Sequence, residues 1–574
     1  MTHPSTPPPS QGSDPPFAIP SAGVDAAELD PCRSARRRRI WPWLIIVPLV
    51  AMALSVLTFN WSASARLQAA LDDLVARGEP LTYDEAYARL AADPPADDDN
   101  LAGVPLLLSM HDSEPGRAMR RQLEENQPEL LEQWEQLVSR WGHTAGTKAS
   151  SILRTSEDFD AWHPDSPQFD ADFHAWHSGI PYIWWSGPDE DWEWIEHNDG
   201  PAASVYLISG FLHPLIHQLA ADCRHRSRAL WSQAEFDEDD VFSVLVDQFG
   251  PNPRDLVKRA QTLRSIALAA LAREDPELAA ASLELSLALM RAGGEGEGLW
   301  ALHLRAITAH LTDGPLFTGL SERAWSDEQL ARLQRAIEHS LSALEPESML
   351  RMGRVLDLTK IRFVKRQRDV EAERDRMPGA GPLVLKVLPD GAFDQMAIRV
   401  IETYDHEWLQ PGTLLPQEVD RLESKLPEWL VWLEIMNPAE FLRIRLPPDH
   451  AHWLMIHARA SETRLRLAHA AIALERFFLQ HGRYPDDWQE LIPGILDQPP
   501  LDPFTRGELV LLPADPAAGR QRPVIYSFGL NREDNGGTQG FDPDRPAVVG
   551  DQFATGDVVW GYPGDEPPAG PGDD

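Results

Sequence analysis

Cysteine is nearly missing from this chain: 574 residues carry two, Cys32 and Cys223. They flank the one long apolar run, so the predicted topology puts them on opposite sides of a membrane and excludes an intrachain disulfide. Basic residues are also scarce, 52 Lys and Arg against 89 Asp and Glu, for a formal charge of -37. Such a surface repels polyanions, which excludes nucleic acid as a partner and suits a soluble exterior. Several catalytic signatures are incomplete. Gly293, Gly294, Gly296 and Gly298 lack the Lys-Ser/Thr of a phosphate loop, and His406-Glu407 lacks the second histidine of a zincin helix. No apolar stretch precedes Cys32, as a lipoprotein cysteine would need.

What is present begins with Arg36 to Phe59. Four consecutive arginines run into IWPWLIIVPLVAMALSVLTF, twenty residues without a charge. At about 1.5 Å per residue that helix spans roughly 30 Å, the thickness of a hydrocarbon core. Pro42 and Pro48 kink such a helix without breaking it. Arg33 and Arg36 to Arg39 lie on its N-terminal flank, and the next charges after it are Arg66, Asp72 and Asp73. This asymmetry predicts a cytoplasmic N-terminus and a body outside, in the periplasm of a bacterium, carried by a single inner-membrane span. Ser62 to Ala65 are small, but the run is longer than a signal-peptide core, so an uncleaved anchor is expected.

Seven segments are expected. Residues 1 to 35 form a proline-rich cytoplasmic tail, since eight prolines fall in the first 31 residues. Residues 36 to 60 span the membrane. Residues 61 to 160 make a helical stalk or first layer: Leu67, Leu71 and Leu74 keep helical spacing, Thr82 and Glu85 fit a capping box, and one polar helix runs from about Arg117 to Trp141. Residues 161 to 250 are rich in Trp and His. Residues 251 to 455 are a helical body, with one helix from Arg254, a second opened by Asp275-Pro276, a third around Leu302 to Leu311, a fourth capped by Ser326 and another near Met349 to Glu373. A small α+β domain, 456 to 561, and a disordered tail, 562 to 574, complete the chain. The fold class is mainly α, a helical-hairpin body outside the membrane after one transmembrane helix.

The Trp/His-rich region interleaves Trp162, Trp176, Trp184, Trp185, Trp192, Trp194 and Trp231 with His163, His174, His177, His197, His213, His217 and His225. His213 and His217 stand four apart on a helix, where two imidazoles can share a metal completed by Cys223 or His225. On that arrangement the chain would be an exported metal-dependent hydrolase. Against it, Pro214 lies between the histidines and no third ligand has a diagnostic spacing; tryptophan packing accounts for the composition.

The last hundred residues carry an ordered set of features. A helix from Ala458 to Gln480 ends at His481-Gly482; Arg483-Tyr484-Pro485, a short helix at Trp488 to Ile492 and the turn Leu501-Asp502-Pro503-Phe504-Thr505 follow. Strands lie around Leu509 to Leu512 and Val524 to Ser527, then the loop Gly529 to Gly537 and a last strand, Gly556 to Trp560. This order resembles the C-terminal half of the type II secretion major pseudopilin, and the whole chain looks like a group of single-pass bacterial envelope proteins that join a helical body to such a segment. The resemblance implies calcium held by the acidic loop and last strand, here Asn531, Asp534, Asn535 and Asp557, with Asp542 and Asp544 nearby. It stops at the membrane helix, which lacks the Gly before the cleaved bond and the Glu inside the apolar run that a pilin needs to be processed and assembled. The function expected is a non-catalytic, membrane-anchored envelope scaffold with protein partners, linked to secretion or surface assembly.

Overall fold

The helix Pro276–Ala292 is buried at every position from Leu278 to Ala292: LAAASLELSLALM puts Leu, Ala or Met on every face, and its one charge, Glu284, is paired with Arg224 at 2.9 Å and Arg332 at 3.0 Å. Around it the computed structural model describes residues 31–139, 206–231, 251–342, 346–367, 389–405, 448–537 and 556–561, apart from 93, 112, 208, 252, 294–298 and 519. Among them are thirteen helices and a three-stranded sheet. In chain order the helices are α1 Pro31–Ala76, α2 Tyr83–Leu90, α3 Pro105–Leu108, α4 Glu114–Asn126, α5 Pro128–Ser139, α6 His213–Cys223 and α7 Pro253–Ala272. The central helix is α8, followed by α9 Leu299–Ser321, α10 Asp327–Ser342, α11 Pro346–Gln367, α12 Asp390–Asp405 and α13 Pro448–His481. The strands are β1 Val510–Leu512, β2 Val524–Ser527 and β3 Val558–Trp560, antiparallel in that order.

The chain divides into two compact units, Met1–Ser62 and Ala63–Asp574. In the first, α1 carries Ile46, Val47, Leu49, Val50, Met52, Leu54, Val56 and Leu57 with their side chains exposed, and Ile46–Ala76 is long and apolar enough to cross a membrane. Nothing between Phe59 and Arg66 interrupts the helix, so the segment expected to follow the anchor is the same helix continued to Ala76.

In the second unit, α6, α7, α9 and α10 pack around α8, and α13 packs on α9 and α10. The caps read from sequence are formed. The Asp275 carboxylate accepts from Leu278 N at 3.1 Å, and Ser326 Oγ accepts from Gln329 N at 3.3 Å while Gln329 Oε1 accepts from Ser326 N at 2.9 Å. Thr82 Oγ1 accepts from Glu85 N, and Glu85 reaches back to Leu81 N at 2.8 Å. The single helix expected from Arg117 to Trp141 is two, α4 and α5. Gln127 leaves the helical region because Pro128 follows it, and the second helix starts with that proline at its first position.

The sheet packs on α13, and Phe317 of α9 meets Trp560 of β3 with ring centroids 5.6 Å apart. The helix that heads the C-terminal segment is thus also a layer of the helical body. Arg476 on α13 binds Asp327 at 2.8 Å and Gln334 at 2.9 Å on α10, while the Gln334 amide donates to Ile495 O at 3.1 Å.

Candidate functional site

The four loop residues expected to hold a cation come together at one corner of the sheet. β2 is buried along its whole length and delivers Ser527 to the turn that starts the loop; Ser527 Oγ accepts from Gly529 N at 3.2 Å, and Gly529 takes a positive φ of 66° that a side chain would strain. The loop is then built from short polar turns. Asn531 Oδ1 accepts from Glu533 N at 3.2 Å, and Asp534 Oδ1 accepts from Gly536 N at 2.9 Å and from the Tyr526 hydroxyl at 3.0 Å. The Asn531 amide donates to Asn535 Oδ1 at 3.0 Å. Asp557, one residue before β3, closes the corner: its two oxygens accept from Asn535 N at 3.3 Å and Gly537 N at 2.7 Å. Asp542 and Asp544 lie outside the described residues.

Electrostatically the corner is negative. Asp557 is 1% exposed, and burial pushes its carboxyl above the usual aspartate range; the two backbone N–H groups pull it back, and the Asp534 and Asp502 carboxylates push it up again. Burial and Asp534 likewise raise the Tyr526 phenol. The corner gathers two carboxylates and two amide oxygens, and both Asp557 oxygens, Asp534 Oδ1, Asn531 Oδ1 and Asn535 Oδ1 accept hydrogen bonds from the protein itself. Among the described residues no three His, Cys, Asp or Glu side chains gather as a metal group, so a cation here would rely on the asparagines and backbone carbonyls as well.

The histidine pair of the other region is placed differently from a metal site. His213 opens α6, with Nε2 at 3.1 Å from Ser209 Oγ and its ring 4.8 Å from that of Tyr206, whose hydroxyl donates to Asp275 at 2.8 Å. Burial lowers the His213 pKa, partly offset by Asp275. Cys223 is buried in the core with its thiol raised to about 12 by burial, which keeps it a neutral apolar side chain rather than a ligand. His225 is exposed. Ser209, His213 and Asp275 have the residue types of a hydrolytic triad, but not its geometry. Asp275 accepts from the Tyr206 hydroxyl and from Leu278 N, and the buried Ser209 has its Oγ 3.1 Å from both Tyr206 O and His213 Nε2. Trp162 to His197 and His406-Glu407 lie outside the described residues.

Two constellations escaped the sequence reading. Asp502, read only as a turn residue, is 2% exposed and accepts from Phe504 N, Ser527 Oγ and Phe528 N. Glu475, in the middle of an apolar stretch of α13, binds Tyr484 and lies against Arg323 and Arg522. Its signal was visible: a glutamate one residue after Leu474 and four after Ala471, on the helix face that has to be buried. Beside it, Leu320, Trp325 and Leu479 line a pit of about 10 Å³, room for about one water and no substrate.

No family model matches the chain, and no curated protein or solved structure does.

Proposed function

We propose that this chain is a membrane-anchored, non-catalytic scaffold of the bacterial cell envelope, with its N-terminus in the cytoplasm and Ala63–Asp574 in the periplasm. The observation that carries the reading is the run of eight exposed large apolar side chains from Ile46 to Leu57 on α1, directly after Arg36 to Arg39. An apolar surface of that extent is costly in water and favourable in lipid, and the arginines resist translocation. A helical body in a strongly acidic chain, joined to a pseudopilin-like segment, suits contacts with other envelope proteins in secretion or surface assembly.

The test is fractionation and protease shaving of cells expressing the full chain. The protein should resist alkaline carbonate, and protease added to spheroplasts should digest the body while an epitope on residues 1–30 survives. Extraction by carbonate, or a protected body, would overturn the proposal.

The loop at Asp534 and Asp557 supports calcium as a structural ion of this scaffold, as the pseudopilin resemblance implies. Millimolar calcium should raise the melting temperature of the detergent-solubilised full chain by a few degrees, and Asp534→Ala or Asp557→Asn should abolish that shift. If calcium leaves the intact protein's melting unchanged, the loop is held by its own hydrogen bonds alone.

A further inference from the structure

We propose that the N-terminal end of α1 is a binding surface for anionic phospholipid headgroups, recognised through their phosphates; this rests on the membrane-anchored reading. α1 is helical from Pro31, so Arg33 and Arg36 to Arg39 are part of the same helix as the exposed apolar run. Successive helical positions step by about 100°, which distributes Arg36, Arg37, Arg38 and Arg39 around the whole circumference. A protein partner meets one face of a helix. Basic positions on every face match a ligand that surrounds the helix, and lipid does.

Three further observations fit. From Pro31 to Leu71 the chain has no Asp or Glu, so its own helix offers these arginines no carboxylate, in a protein that otherwise has 89 acidic residues. Arg39 and Trp61 are separated by about 33 Å at the helical rise, one hydrocarbon thickness, and Trp61 is 77% exposed, as an interfacial indole would be. These helical positions then fall at headgroup depth, and an arginine there can donate two N–H groups to the oxygens of one phosphate.

Native mass spectrometry of the full chain, released from micelles holding equal phosphatidylglycerol and phosphatidylcholine, tests this. The wild type should retain the anionic lipid by about fivefold or more, and R36Q/R37Q/R38Q/R39Q should bring the ratio near one. The corresponding four-lysine variant should keep most of the preference, which separates charge from a folding defect. Equal retention of both lipids by a carbonate-resistant wild type would overturn the proposal and leave the anchor standing, as would a glutamine variant that keeps its preference. A wild type that carbonate extracts would remove the anchor itself.

Discussion

Replacing Asp502 by alanine should cost the second unit about 3–5 kcal/mol, since three buried donors lose their acceptor at about 1–3 kcal/mol each. The carboxylate is 2% exposed, and all three of its donors are in place: Phe504 N and Ser527 Oγ on Oδ1, both at 2.8 Å, and Phe528 N on Oδ2 at 3.1 Å. Its backbone holds the same turn, with Asp502 N donating to Gly507 O and Asp502 O accepting from Arg506 N. The side chain therefore ties the turn after Leu501 to the end of β2, where the acidic loop begins. Alanine leaves two backbone N–H groups and a hydroxyl without an acceptor. Asp502→Asn discriminates further: Oδ1 still serves two donors, but an NH₂ now faces Phe528 N–H, so a loss of about 1–2 kcal/mol is expected. Melting of the solubilised full chain, with amide exchange read at β2 and the loop, checks both. An Asp502→Ala protein that melts within about a degree of wild type, with unchanged exchange at Phe528, would show that the carboxylate is dispensable.

How much of this was legible in the sequence depends on the range of the interaction. Features set by neighbours three or four residues away were readable: the start of α8 at Asp275-Pro276, the Ser326 cap, and the strand leading to Ser527. The break at Pro128 was equally local, but the apolar spacing of Leu123, Leu130, Leu131 and Trp134 continues across it and hid the pre-proline constraint. The loop residues of the candidate cation site were named from the pseudopilin resemblance, and hydrogen bonds link Asn531 to Asn535 and Asn535 to Asp557. What joins Asp557 to Gly537, 20 residues away, is a tertiary closure that spacing alone could not show. Least legible were contacts such as Arg522 with Leu320, 202 residues apart, where neither residue type nor periodicity points to the partner.

That last contact belongs to the Glu475 cluster, where the second large effect is expected. Glu475 is buried on α13; its Oε1 accepts from the Tyr484 hydroxyl at 2.5 Å and lies 3.7 Å from Arg522, while Oε2 lies 3.5 Å from Arg323. Arg522 donates onward to Leu320 O at 3.1 Å and Ser321 O at 2.8 Å, the final carbonyls of α9. Arg323 covers the Phe478 ring at 4.1 Å and donates to Tyr484. One carboxylate therefore joins α13, the end of α9, the turn at Tyr484 and the loop between β1 and β2. Glu475→Ala should cost about 1–3 kcal/mol, because it takes from the buried Tyr484 hydroxyl the acceptor it donates to and opens a gap beside Arg323 and Arg522.

The pH dependence gives the sharper test. Burial raises the Glu475 pKa above the ordinary glutamate value, and Tyr484, Arg522 and Arg323 only partly pull it back. The folded state thus binds the proton more tightly than the unfolded chain. The stability this group contributes is fully present below the unfolded pKa and is lost as pH rises through the folded one. Glu475→Gln keeps an acceptor for Tyr484 but cannot titrate. The melting temperature of wild type relative to Glu475→Gln should therefore fall as pH rises above the ordinary glutamate range and level off once the carboxyl is ionised. A wild-type advantage that grows as pH rises would mean that the arginines outweigh burial, and that the cluster is held by its charges rather than by its hydrogen bonds and packing.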